Sequence, residues 1–121
     1  MLFPFLLSLL AAAQLEKDKE YYGSTLVLQM ISVEVWVKVI DSEHVDIRSS
    51  SPFDLNCEEE PFSIDDDGQV TLGDCFAESM QEANQTVKSL TYDATNDEIH
   101  LDLVKKVFGI EIPVAITLKA Q

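Results

Sequence analysis

Apolar and polar residues alternate along most of this chain, and helical spacing interrupts the alternation only once. From Ser24 to Asp41 the segment is rich in Val, Ile and Leu and reads as strand. Val27, Ile31, Val33, Val35, Val37 and Val39 share one parity, with Ser32, Glu34 and Lys38 on the other. Leu26, Leu28 and Met30 break the rule, which predicts burial on both faces at the start of the segment or a bend or bulge near Met30. "DSEH" at 41–44 reads as a turn, after which Val45 and Ile47 resume the alternation in a returning strand. "SSSPFDLN" at 49–56 reads as a loop punctuated by Pro52, and "QLEKDKE" at 14–20 as a polar, frayed start.

From Asp74 the period changes. Phe76, Met80, Ala83 and Val87 recur at helical spacing, with Glu78, Gln81, Glu82 and Gln85 between them. The pattern predicts a helix of about 14 residues whose apolar stripe packs on a sheet. Asp74 is placed to cap it and to complement its dipole. Period two then returns. "SLTYD" and "DEIHLDLVKKV" flank the turn-rich "DATND", with Ile99, Leu101 and Leu103 facing a core and His100 and Asp102 facing away. Ile110, Ile112, Val114, Ile116 and Leu118 form the clearest half-buried strand, and Pro113 on its outward parity predicts an edge or a local irregularity. The sum is an α+β fold: a curled, mostly antiparallel sheet with one packed amphipathic helix, in a single domain over 14–121.

The opening "MLFPFLLSLLAAAQ" changes the picture of compartment. An apolar run from Leu2 to Leu10 leads into Ala11-Ala12-Ala13, the pattern of a secretory signal over 1–13 cleaved before Gln14. No basic residue precedes the run and Pro4 interrupts it, and it is too short to span a bilayer, which takes about 20 apolar residues. The expected location is therefore extracellular. Cysteine usage agrees: only Cys57 and Cys75 are present, without a CxxC or a nearby histidine, so a disulfide is expected rather than a metal site. Asn84-Gln85-Thr86 is a glycosylation acceptor if the chain passes through a eukaryotic secretory pathway.

Charge narrows the partners. Twenty-two acidic residues against eight basic ones leave −14 over 121 residues. Such a surface repels nucleic-acid phosphates and anionic lipid, so neither nucleic-acid binding nor electrostatic membrane docking is expected, and no segment is read as a membrane span.

The acids also pose a question of chemistry at "SIDDDGQVTLGD", residues 63–74. Setting Gly68 at the fixed glycine of a calcium loop puts Asp65 and Asp67 at ligand positions and Asp74 at the last one. The stretch resembles the EF-hand family over these twelve residues only, with Ser63 where a carboxylate belongs and Asp in place of Glu at the end. That resemblance implies at most weak Ca²⁺ binding, on the order of 10⁻⁴–10⁻³ M. Against it, Pro61 would break an incoming helix, and Phe62 and Ile64, then Val70 and Leu72, alternate as two short strands around "DDDG". The stretch is read first as a hairpin and second as a cation loop.

Catalytic inventory is thin. His44 has Glu43 and Asp46 beside it, a set with some metal-ligating character, and His100 can share a strand face with Asp102. Neither is accompanied by a GxSxG elbow, and GxGxxG, Walker and HExxH motifs are absent. The function expected is a secreted, non-catalytic binding module for an apolar ligand or a protein partner, with no cofactor beyond weakly held Ca²⁺. A calcium-modulated module and a small hydrolase are the alternatives.

Overall fold

A computed structural model describes residues 15–50 and 55–121. The run read as a signal peptide and the loop proline Pro52 lie outside them. Alternating β-branched residues build strands β1 (Glu20–Val27), β2 (Ile31–Val39), β3 (His44–Ser49), β4 (Asn56–Ile64) and β5 (Val70–Leu72). Helix α1 (Asp74–Glu82) follows, then β6 (Gln85–Asp93), β7 (Glu98–Val107) and β8 (Ile110–Ala120). Neighbouring strands pair antiparallel in the order β5-β4-β3-β2-β1-β8-β7-β6. The fold is α+β: a curled antiparallel sheet, nearly closed into a barrel, with one short helix and one disulfide.

Two glycines sit where the curl closes. Between β1 and β8 the backbones come so near that a Cβ on Gly23 would lie 2.2 Å from the Thr117 carbonyl oxygen. On the other side the free edges β5 and β6 meet at the Gln69–Thr91 bridge, where Tyr92 N–H donates to the Gly68 carbonyl at 2.8 Å. Gly68 has φ +82°, and a Cβ there would lie 2.8 Å from the Tyr92 carbonyl oxygen. It satisfies the turn and the seam together.

The inward parity of each strand fills the barrel. Val33, Val35, Val37 and Val39 face Val45 and Ile47, then Leu90 and Tyr92, Ile99, Leu101 and Leu103, and Val114, Ile116 and Leu118, all buried. Burying each such side chain stabilises the fold by about 1.5–3 kcal/mol. Phe76 and Met80 are the buried face of α1 and join the same core. No helix among the described residues is long and apolar enough to cross a membrane.

Several sequence expectations are corrected. The segment from Ser24 to Asp41 is two strands: the chain reverses through Leu28, Gln29 and Met30, closed by Met30 N–H donating to the Val27 carbonyl at 3.1 Å. The first strand starts earlier than expected, at Glu20, inside the stretch read as frayed. Leu26, Leu28 and Met30 are therefore exposed near a hairpin tip and not buried on a second face. Ile31 and Ile110, on core-facing parities, are also exposed because they stand at strand ends beyond the packed barrel. Pro113, by contrast, keeps its expected outward and edge-like place: it is exposed in β8 opposite Val104, away from residues 119–120 that pair with β1.

The helix is shorter than its pattern, nine residues long. Asn84 takes φ +55° just past its end, and the chain straightens so that Val87 pairs with Leu103 in the sheet. Its N-cap is Gly73 and makes no side-chain cap bond, so Asp74 contributes only its charge to the first turn. The capping acceptor comes instead from β4: Glu60 Oε2 accepts from Phe76 N–H at 2.5 Å. A bulge makes this geometry. Val45 pairs with Glu60 and Ile47 with Cys57, so β4 carries an extra residue there, with Glu59 at φ +51°. Without that residue Glu59 would point inward; with it Glu60 does, and it is 4% exposed. The disulfide joins Cys57 of β4 to Cys75 in the first turn of α1, with Cα atoms 5.9 Å apart, so covalent bond and cap secure the same end of the helix.

Candidate functional site

On the outer face of β1 to β4 the register lines up four side chains in one row. Tyr22 stands opposite Trp36, Trp36 opposite Arg48, and Arg48 opposite Asn56. The Tyr22 and Trp36 rings are 5.5 Å apart and tilted by 43°. The Arg48 guanidinium carbon lies 5.4 Å from the centre of the Trp36 ring, a cation–π contact. The chain's single tryptophan is thereby held between a phenol and a guanidinium.

A groove of about 790 Å³ runs along this row, within the 300–1,000 Å³ typical of ligand sites. Glu20, Glu34, Asp46 and Glu58 line it against Lys38 and Arg48, four carboxylates to two cations. Tyr22 Oη donates to Glu34 Oε2, and this hydrogen bond, aided by partial burial, holds the phenol above its usual range. Glu34 is fixed in turn through its backbone, which donates to Ser50 Oγ at 3.0 Å. An aromatic floor with a net negative rim suits a group that is apolar in body and cationic at its end.

The barrel interior offers less room. Its cavity, lined by Leu15, Phe62, Ile64, Val70 and neighbouring core residues, measures about 40 Å³ and presents no polar surface. That volume is below the 300–1,000 Å³ typical of ligand sites.

The residues singled out from sequence lie elsewhere. Cys57 and Cys75 are joined. Asp65 and Asp67 belong to the β4–β5 hairpin, in which Ile64 pairs with Val70 and Phe62 with Leu72. Asp65 Oδ1 accepts from the backbone N–H groups of Asp67 and Gln69, both at 2.9 Å, so that carboxylate closes the turn. Asp74 sits at the far end of β5, in the first turn of α1, and the three aspartates do not form one ligand group. Asn84 and Thr86 are exposed at the junction of α1 and β6.

Both histidines find partners other than those anticipated. His44 Nδ1 contacts Asp41 Oδ1 at 2.9 Å, and this hydrogen bond holds the imidazole above its usual range. Asp46, the neighbour expected beside it, accepts instead from Glu59 N–H. His100 Nε2 lies 3.5 Å from Glu98 Oε1, and Nδ1 lies 3.4 Å from Thr117 Oγ1. Asp102 accepts from Ser89 Oγ at 2.9 Å and makes no pair with His100. Asp93, Glu98 and His100 place a ligand atom each within 4.8 Å of one another, but Asp93 is already engaged by Asn96 Nδ2 and by Thr95 N–H. The other such trio includes Cys57 and Cys75, whose sulfurs are spent in the disulfide.

Sequence reading missed the groove because its row is assembled by the register of four strands. The available signal was Trp36 itself, a large aromatic on the polar parity of β2. Compared with protein-family models, with curated proteins and with solved structures, the chain matches none.

Proposed function

We propose that this protein is a secreted, non-catalytic binding module, and that its groove takes a segment of a protein partner presenting basic and apolar side chains together. The observation that carries the reading is Trp36, stacked between Tyr22 and Arg48 on the floor of a net negative groove. Ring faces accept apolar stems and cationic ends alike. The four carboxylates favour a cationic end over an anionic one. Secretion is supported by the apolar opening run followed by Ala11-Ala12-Ala13, and by a disulfide that an oxidising compartment maintains.

Trp36 is its own reporter. A short peptide alternating Arg and Leu should change its fluorescence saturably, whereas a matched Glu–Leu peptide should not. Trp36→Ala, followed by calorimetry, should weaken the Arg–Leu peptide at least tenfold, about 1.4 kcal/mol. Equal response to both peptides, or none to either, would remove the groove from consideration. The mass of the secreted protein tests cleavage after Ala13 separately.

A further inference from the structure

The antiparallel meander sorts its turns to two ends. Loops 40–43, 65–69 and 94–97 share one end, and the β1–β2 and β7–β8 tips share the other. The first end carries Asp41, Glu43, Asp65, Asp66, Asp67 and Asp97. The two tips are unlike it, although the C-terminus of α1, with exposed Glu82, shares their end, where Lys106 N–H donates to the Asn84 carbonyl at 3.2 Å. Residues 24–33 and 104–110 contain no acid and two lysines, Lys105 and Lys106, in a chain of net charge −14. Glu34 and Glu111 are the next acids along these hairpins, Glu111 standing opposite Lys106.

Both tips are apolar and open to solvent. Met30 is 83% exposed and Phe108 fully so, and Leu26, Leu28 and Ile110 are each more than half exposed. β1 and β8 pair at their other ends, Tyr21 with Ala120 and Tyr22 with Lys119, so the tips stand as two separate apolar points on the same end of the barrel. Backbone geometry supplies a second observation. Leu28, Gln29 and Phe108 hold φ of +54°, +56° and +51°, in turns where Asn or Gly would sit without strain. Large apolar side chains at strained and exposed positions work against the stability of the isolated molecule, and such outliers gather where function requires them.

We propose that this end docks on a lipid bilayer, with both hairpin tips entering the interfacial layer and the lysines behind Phe108 at headgroup level. Narrow projecting tips suit a deformable surface better than a protein partner, whose stable interface covers about 800 Å² per side. The acidic end is separated from the tips by the length of the strands. The nine residues of β2 span roughly 30 Å, several times the Debye length of ~8 Å at physiological salt. The carboxylates of that end are therefore too distant to oppose apolar insertion at the tips.

The test is co-sedimentation of the purified protein with vesicles of phosphatidylcholine, alone and mixed with phosphatidylserine, at physiological salt. Binding is expected to both. Phe108→Asn combined with Leu28→Asn should reduce it at least tenfold while leaving the melting temperature equal or higher, since Asn relaxes both turns. The double variant differs from the unmodified protein only at the tips, so its loss assigns binding to them. A Phe108→Trp variant should show a blue shift on adding vesicles, read against the unchanged Trp36 background. The proposal is overturned if the unmodified protein stays in the supernatant, or if the double Asn variant binds as well as it does. It is equally overturned if the unmodified protein self-associates in sedimentation velocity without binding vesicles and the Asn variant is monomeric.

Discussion

Glu58, Glu59 and Glu60 are identical in sequence terms, and one added residue in β4 gives them different work. Glu60 alone is buried, and it accepts the Phe76 N–H that the start of α1 leaves without an intrahelical partner. Glu60→Ala should lower stability by about 1–3 kcal/mol, because the amide is left unsatisfied in the core. Glu60→Gln, which retains an acceptor, should recover much of that loss. Urea denaturation of both variants checks the difference. In the 94–97 turn Asp97 gathers three donors: Tyr21 Oη at 2.6 Å, Tyr92 Oη at 2.7 Å and the Lys19 ammonium. Burial alone would raise its carboxyl, but Lys19 and the two phenols outweigh it and hold it below the usual range. A depressed native value stabilises above the unfolded carboxylate value near ~3.9 and is lost as pH falls through the native one. Asp97→Asn should therefore destabilise at neutral pH and flatten the loss of stability in acid. Denaturant midpoints followed from neutral pH down to about pH 3 test the sign.

Among elements, those whose pattern is local were legible. β7 and β8 follow the period-two reading closely, and the β4–β5 hairpin stands where Phe62, Ile64, Val70 and Leu72 put it. The broken parity of Leu26, Leu28 and Met30 marked a bend near Met30, but a full reversal there was not legible, since Leu28-Gln29-Met30 offers no Gly, Pro or Asn to mark a turn. Helix α1 was extended too far because Val87 continues its spacing, whereas Asn84 had already ended it in a left-handed conformation. Glu60 as a cap was hidden by the bulge, and the Tyr22–Trp36–Arg48 row by register, neither of which periodicity along one strand records. Cys57 and Cys75 were readable from number and compartment alone. Their bond brackets β5, a strand of three residues that has little packing of its own. Reduction should cost about 3 kcal/mol in the chain-entropy model. Hydrogen exchange should show the earliest loss of protection at β5 and the first turn of α1, with β7 and β8 least affected.

For the molecule as a whole, curling the sheet places an apolar end, an acidic end and an aromatic side groove on one small barrel with a packed interior. Each surface follows from parity and strand direction, so none can be moved without changing the others. The strand order has a further consequence in time. β1 to β5 and β6 to β8 are two runs of sequential hairpins, each of which can form from contacts close along the chain. Joining them requires β1 to meet β8, at opposite ends of the described chain, where Gln121 N–H donates to the Glu20 carbonyl at 2.9 Å. During synthesis from the ribosome β1 emerges well before its partner β8. Until β8 is released, β1 carries an unpaired edge of the kind that seeks other chains. Pairing of β8 is thus the event that ends the period in which this edge is exposed to aggregation.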